Sequence, residues 1–309
     1  MESIVSAVAK FAEERPERAA VIANDNQITY AELWKEIQGF AKYIKSFSFP
    51  AGSRIIVKSD SDIWFAVTCF AIQLTGNVHV PLEKSIGVKG LEDVASQLGA
   101  AMVISNTDIE GDFVSVDSDR VREIGQENYE EGLSFDFPTK EMTCDILFTT
   151  GTTGKSKGVV ISHRAVVAVS ENVQYGAEIP DDNVYLVPAP INHASAIRKL
   201  YVSMLTGTTV VLLDGFKDIR KFYSYIEKYK VTSILMPPAA VRMLLVLSKK
   251  ELAKYSGQLH HIHTGSAAFP EADKELLCSL LPETRLYFAY GSSEAGCVSM
   301  FDYSQHKGL

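Results

Sequence analysis

The chain is poor in the features that mark secreted, membrane-embedded or nucleic-acid-binding proteins. Its four cysteines, Cys69, Cys144, Cys278 and Cys297, lie far apart and form no CxxC pair. That spacing argues against a disulfide frame or a zinc site and for free thiols in a reducing compartment. No run approaches the roughly 18 apolar residues that a membrane span needs. Glu2, Glu13 and Glu14 stand where a leader would be basic and then apolar. The expectation is a cytoplasmic protein without a membrane span. Basic residues are also in deficit, with 30 Lys and Arg against 38 Asp and Glu and a net charge of -8. That balance excludes nucleic acid as the main partner. Sequence repeats and low-complexity tracts are absent.

The 309 residues, 46% apolar and 22% charged, suffice for about two domains with a substantial core. Patterning predicts strands alternating with helices along most of the chain. Thr29 to Glu32 reads as a capping box opening a helix whose apolar face carries Leu33, Ile37, Phe40, Ala41 and Ile44. Strands are expected at 54–58, at 78–80 (ended by Pro81), at 102–104 and at 113–116. The acidic stretch 117–143, with Gly125, Gly132 and Pro138, reads as a surface crossing. A break at Gly176 to Asn183 separates this half from a second alternation, with strands at 184–187, 208–213, 232–236, 259–263 and 286–290. The predicted fold class is α/β, with two packed parallel α/β subdomains. The first covers 1–178, with residues 1–45 free to pack on the second, and the second covers 179–309.

Ligands of open parallel sheets sit beyond the carboxyl ends of the strands, so loops 149–158, 188–193, 264–269 and 290–296 hold the candidates. The first is the richest. Leu147 to Val159 packs three glycines, four threonines, one serine and two lysines between apolar runs. Backbone N–H groups, hydroxyls and ammonium groups in one loop are the parts of a polyphosphate cradle. Gly154-Lys155-Ser156 matches the end of a P-loop, but that motif needs its first glycine at 149, where Thr149 stands. The loop Tyr290-Gly291-Ser292-Ser293-Glu294 offers a carboxylate suited to Mg²⁺, which is normally shared with substrate phosphates.

Together the two loops resemble the signatures of the adenylate-forming (AMP-binding) ligase superfamily, in particular the N-terminal portion of an acyl- or aryl-CoA synthetase. Thr149 to Gly158 resembles the family's phosphate loop T-[ST]-G-[ST]-T-G-x-P-K-G, with Ser156 in place of proline. Tyr290 to Glu294 resembles Y-G-x-[ST]-E, with Phe288 where Asn or Gln is frequent. Thr29 to Leu33, Gly76 to Pro81, Pro190 to His193 and Gly265 to Ala268 add weaker matches in the family's order.

The resemblance implies ATP-dependent activation of a carboxylic acid to an acyl-adenylate, followed by transfer to coenzyme A or another thiol. It assigns Thr149, Thr150, Gly151, Thr152, Thr153, Gly154 and Lys157 to the β- and γ-phosphates. Ser293 falls to the α-phosphate and Glu294 to Mg²⁺. Tyr290, Gly291 and the backbone of Ser266, Ala267 and Ala268 fall to the adenine side, and His193 to the acyl pocket. Catalytic weight rests on Lys157, Ser293, Glu294 and His193. His261 and His263 share a strand face opposite His260, with no Cys or carboxylate within four residues, and read as structural.

No acidic residue occurs in 188–198, which points to an acid without an α-ammonium group. Ala194, Ser195, Ser266, Ala295 and Cys297 leave room for an aryl or medium acyl group, and Arg198 reads as a surface charge. The family's T-G-D segment and small C-terminal domain have no counterpart before Leu309, so the chain reads as the N-terminal part of such an enzyme. The run Cys297 to Phe301 reads as a strand lacking a partner. The alternatives are a non-catalytic nucleotide- or acyl-binding module and a P-loop NTPase.

Overall fold

The computed structural model describes residues 1–149 and 157–306. The chain begins with α1 (Ile4–Glu14), β1 (Ala19–Ala23), β2 (Asn26–Thr29) and α2 (Tyr30–Ser46). Next come β3 (Arg54–Lys58), α3 (Ile63–Leu74), β4 (Val78–Leu82), α4 (Val88–Leu98), β5 (Met102–Ile104) and β6 (Val114–Val116). They are followed by α5 (Val121–Asn128), β7 (Thr143–Thr149), β8 (Lys157–Ser162) and α6 (His163–Gly176). The second half opens with β9 (Val184–Val187), α7 (Ala194–Thr206), β10 (Thr209–Leu212) and α8 (Ile219–Lys228). It ends with β11 (Ser233–Leu235), α9 (Pro238–Leu247), α10 (Lys249–Leu252), β12 (His261–Gly265), α11 (Glu271–Leu280), β13 (Arg285–Ser292) and β14 (Gly296–Asp302).

Two sheets result. One has eight strands in the order β14-β13-β12-β11-β9-β10-β1-β2, and the other six in the order β6-β5-β3-β4-β7-β8. Their interiors are parallel, as the alternation of strands and helices requires, but β2, β8 and β14 are antiparallel edges. Residues 19–29 thus add two strands to the eight-stranded sheet.

Side chains alternate across each strand, and here they alternate between different cores. Ile55 and Val57 of β3, Tyr185 and Val187 of β9, and Val210 and Leu212 of β10 join one central core. Leu186 and Val211 face a second core under α8, α9 and α11, and Ile56 a third under α4. The protein is therefore five layers deep, with α1, α2, α3, α6 and α7 between the sheets. α3 shows the consequence: every one of its residues is buried, as befits a helix apolar on all sides. Among the described residues no helix is long and apolar enough to cross a membrane.

Local signals explain most boundaries. Thr29 caps α2, its hydroxyl accepting from the Glu32 amide at 3.2 Å while Glu32 accepts from the Thr29 amide at 2.9 Å. Other expectations need correction. β4 runs through Pro81, because the Val78 amide points to β3 and so the missing N–H of Pro81 faces β7, whose ladder with β4 involves only the His79–Asp145 pair. The stretch 117–143 is not wholly irregular, since it contains α5. Gly125 lowers helix propensity there, and its use is close approach: a Cβ on Gly39 of α2 would lie 1.8 Å from the Gly125 carbonyl oxygen. Beside this contact the buried Glu36 accepts two bonds from Arg122, at 2.8 and 2.7 Å, and one from Gln126 at 2.7 Å. β14 does have a partner, pairing antiparallel with β13.

Gly39→Ala is therefore expected to force α2 and α5 apart and to cost about 2 kcal/mol or more in urea unfolding. Gly87→Ala, where nothing lies within 4 Å of the new methyl, is expected to stay within about 0.5 kcal/mol of the parent. Equal stabilities of the two variants would show that the helices do not meet through backbone.

Candidate active site

The two loops singled out in the sequence each join an antiparallel strand pair at a sheet edge, one pair in each sheet. β7 and β8 form the first, with Thr149 opposite Lys157 in the ladder and the Thr149 hydroxyl 3.5 Å from the Lys157 carbonyl oxygen. Thr150, Gly151, Thr152, Thr153, Gly154, Lys155 and Ser156 lie outside the described residues, so the geometry concerns only the two ends of this loop. It still removes the P-loop alternative. A P-loop opens directly into a helix whose N-terminus faces the phosphates, whereas Lys157–Ser162 is a strand returning along β7.

The second hairpin joins β13 to β14 through Ser293, Glu294 and Ala295. Two glycines draw it tight. A Cβ on Gly291 would meet the Gly296 carbonyl oxygen at 2.1 Å. Gly296 has φ 76°, and its added Cβ would lie 2.4 Å from Val169 of α6. The Ser292 hydroxyl accepts from the Ala295 amide at 3.1 Å.

Arg198, read from sequence as a surface charge, instead holds this turn. Its guanidinium donates to the Ser292 carbonyl oxygen at 3.0 Å and to the Ser293 carbonyl oxygen at 2.8 Å. Burial lowers its pKa, but from so high a starting point the group stays charged. Glu294 is exposed, and its carboxyl is held below the usual range by its own backbone N–H and the Ser292 hydroxyl, then by Arg198 and Lys157. Lys157, which comes from the other sheet, is the least of these causes.

Between the hairpins is a cleft of about 40 Å³, walled by Leu147, Ile161, Val166, Ile197 and Arg198, with Ser293 to Gly296 on one rim. Asp145 lies at its floor with no exposed surface. Its carboxylate accepts from Tyr201 at 2.9 and 2.8 Å and from Gln73 at 3.3 Å, with His79 at 2.9 Å and the Cys144 thiol at 3.3 Å. Cys69, His79 and Asp145 are the one set of possible metal ligands grouped among the described residues. Both carboxylate oxygens already accept from the donors just named, Cys69 bonds instead to Tyr201 and Gln73, and burial pushes the Cys69 thiol's pKa well up, which keeps it protonated. The set is a packing network.

On the other side of the Glu294 turn, Gly265 of β12 is in register with Ala289 of β13. Ser266, Ala267 and Ala268 leave β12 fully exposed, and Tyr290, 69% exposed, stands at the adjacent strand end. A Cβ on Gly265 would lie 2.2 Å from the Ala289 carbonyl oxygen, so this approach requires glycine. His193 is exposed at the N-cap of α7, on the helix that carries Arg198. His261 and His263 share the buried inner face of β12, while His260 is exposed. Burial lowers the pKa of His261 to about 3, and that of His263 falls well below its ordinary value. Lys199, which patterning did not single out, is buried against them and donates to His263 Nδ1 at 2.9 Å. Its signal in the sequence is a cation amid the apolar run of α7.

Arg198→Lys cannot fork to two carbonyls. It is expected to cost about 2 kcal/mol and to raise amide exchange selectively at residues 293–296. Unchanged exchange there would show that Arg198 does not hold the turn. The neutral buried histidines give stability a pH dependence of known sign. In the unfolded chain His261 binds its proton near pH 6.5 and in the folded chain near 3, so its contribution is complete above about 6.5 and is lost as pH falls toward 3. His261→Phe is expected to reduce the slope of unfolding free energy between pH 6 and 4 by up to about 1.4 kcal/mol per pH unit. An unchanged slope would count against a neutral His261.

Comparison with known proteins agrees with this arrangement. A family model described as AMP-binding enzyme matches residues 8–308. A methyl-dioxo-octahydroindenyl-propanoyl:CoA ligase of Rhodococcus jostii is 26% identical, over 96% of this chain and 63% of the relative. The D-alanine–D-alanyl carrier protein ligase of Bacillus velezensis is 23% identical, over 94% of this chain and 59% of the relative. The chain thus spans under two thirds of these relatives' length. Among solved structures, the N-terminal subdomain of Klebsiella oxytoca NpsA, in complex with 3-hydroxybenzoyl-AMSN, superimposes with a TM-score of 0.86 at 20% identity. That match covers 98% of this chain and 76% of the other. VinN in complex with L-aspartate gives 0.85 at 18% identity, covering 99% and 81%. By its fold, by the order of its loops and by the family match over nearly its whole length, the chain belongs to the AMP-binding enzyme family.

Proposed function

We propose that this chain is the nucleotide- and acid-binding part of an AMP-forming carboxylate ligase. The observation that carries the proposal is that the β7–β8 and β13–β14 hairpins wall one cleft, with the exposed Glu294 carboxylate on its rim and Lys157 among the charges that hold it ionised. In the reaction a carboxylate oxygen attacks the α-phosphorus of ATP. One P–O bond forms, the bond to the leaving oxygen breaks, and pyrophosphate departs with its electron pair. Two anions must approach, so charge neutralisation and alignment dominate the barrier. Lys157, with Thr149 and the loop residues Thr150 to Gly154, is assigned to the β- and γ-phosphates, and Ser293 to the α-phosphate. Tyr290, Gly291 and the Ser266 to Ala268 backbone would hold the adenine, and His193 would stand at the entrance to the acyl site. An exposed carboxylate kept ionised beside a phosphate site fits Mg²⁺, an oxygen-seeking ion, and Glu294 would be its ligand. Relatives include a CoA ligase and a carrier-protein ligase, so coenzyme A or a carrier-bound thiol is the acceptor we expect. We also propose two subdomains divided near residues 176–183, and a cytoplasmic setting suited to four free cysteines.

The test is carboxylate-dependent ATP–pyrophosphate exchange by the full-length parent over a panel of fatty, aryl and amino acids, with AMP binding measured separately. Glu294→Gln is expected to slow exchange about a hundredfold and to change AMP affinity less than threefold. Absence of exchange with every acid would overturn the reading. Equal losses in both measurements would remove Glu294 from the metal role.

A further inference from the structure

Lys199 is 3% exposed, yet no acidic side chain among the described residues forms an ion pair with it. Its ammonium group has three N–H donors. The described residues offer it His263 Nδ1 at 2.9 Å and the face of Tyr185, with its ring centre 5.5 Å away. Around this pair the hydroxyls of Tyr185 and Tyr287 and His261 Nε2 are buried without a hydrogen-bond partner among the described residues. A buried charge short of partners is costly, and a methionine would fill the same space without that cost. Burial lowers the Lys199 pKa to about 7, while the Cys297 thiol draws it back up. Such a group is poised to take a proton when an anion arrives.

The position indicates which anion. His263 lies three residues before Ser266 on β12, about 10 Å along the strand. The neighbouring Arg198 grips the Ser293–Glu294 turn. Small half-buried residues, Ala289 and Cys297, occupy the adjoining positions of β13 and β14. We propose that Lys199 determines substrate specificity and pairs with a second carboxylate at the far end of the acid, so that the preferred substrate is a dicarboxylic acid. This rests on the acid-activating reading above. Arg198 already has a part in the site, since two of its N–H donors hold the Ser292 and Ser293 carbonyls.

The test uses this chain and two non-hydrolysable acyl-adenylate analogues, octanoyl and its ω-carboxylated counterpart, with AMP as reference and calorimetry as readout. The carboxylated analogue is expected to bind at least tenfold tighter than the octanoyl one. Lys199→Met is expected to abolish that difference while leaving octanoyl affinity within threefold. Equal binding of the two analogues to the parent chain, which needs no variant, would overturn the proposal. So would an equal loss for both analogues in a Lys199→Met protein whose melting temperature shows that it is folded. Failure of AMP and both analogues to bind would instead overturn the acid-activating reading, and this inference with it.

Discussion

The Asp145 carboxylate is the fixed point of the structure. It enters from β7 of the six-stranded sheet and has no exposed surface. Donors come to it from β4, α3 and α7. A buried polar group is tolerable only when its hydrogen bonds are made, and removing one partner costs far more than the bond's net worth. α7 meanwhile packs on β9 and β10 of the other sheet. The network therefore sets where α7 stands between the sheets. Once Tyr201 is anchored, Arg198 and Lys199 are aimed, and with them the Glu294 turn and the inner face of β12.

Much of this was legible in the sequence because local chemistry and global fold agree along most of the chain. The strands Arg54–Lys58 and Met102–Ile104 emerge with the bounds that their apolar runs suggest, and the Thr29 to Glu32 box closes as its residue types require. Where the reading failed, a tertiary requirement had overridden a local preference. Gly125 weakens a helix in isolation but lets two helix backbones touch. Pro81 ends a strand in isolation but sits where no ladder bond is owed. Arg198 looks like a solvated charge until two carbonyls across the cleft accept from it.

The site was legible as residue types but not as geometry. Lys157 and Glu294 stand in loops whose residue types would suit a phosphate site. Spacing did not show that both loops join antiparallel strand pairs at sheet edges. Nor did it reveal Lys199, buried without an acidic partner among the described residues, and such a deficit appears only once the neighbours are in place.

α6 has a consequence of its own. It begins immediately after β8, so its first turn continues the strand that starts at Lys157, and Val169 near its middle abuts Gly296. One helix thus follows directly from the first hairpin and forms the wall against which the second hairpin closes. Any side chain at Gly296 would run into Val169, so the second hairpin can close on α6 only while that position stays bare.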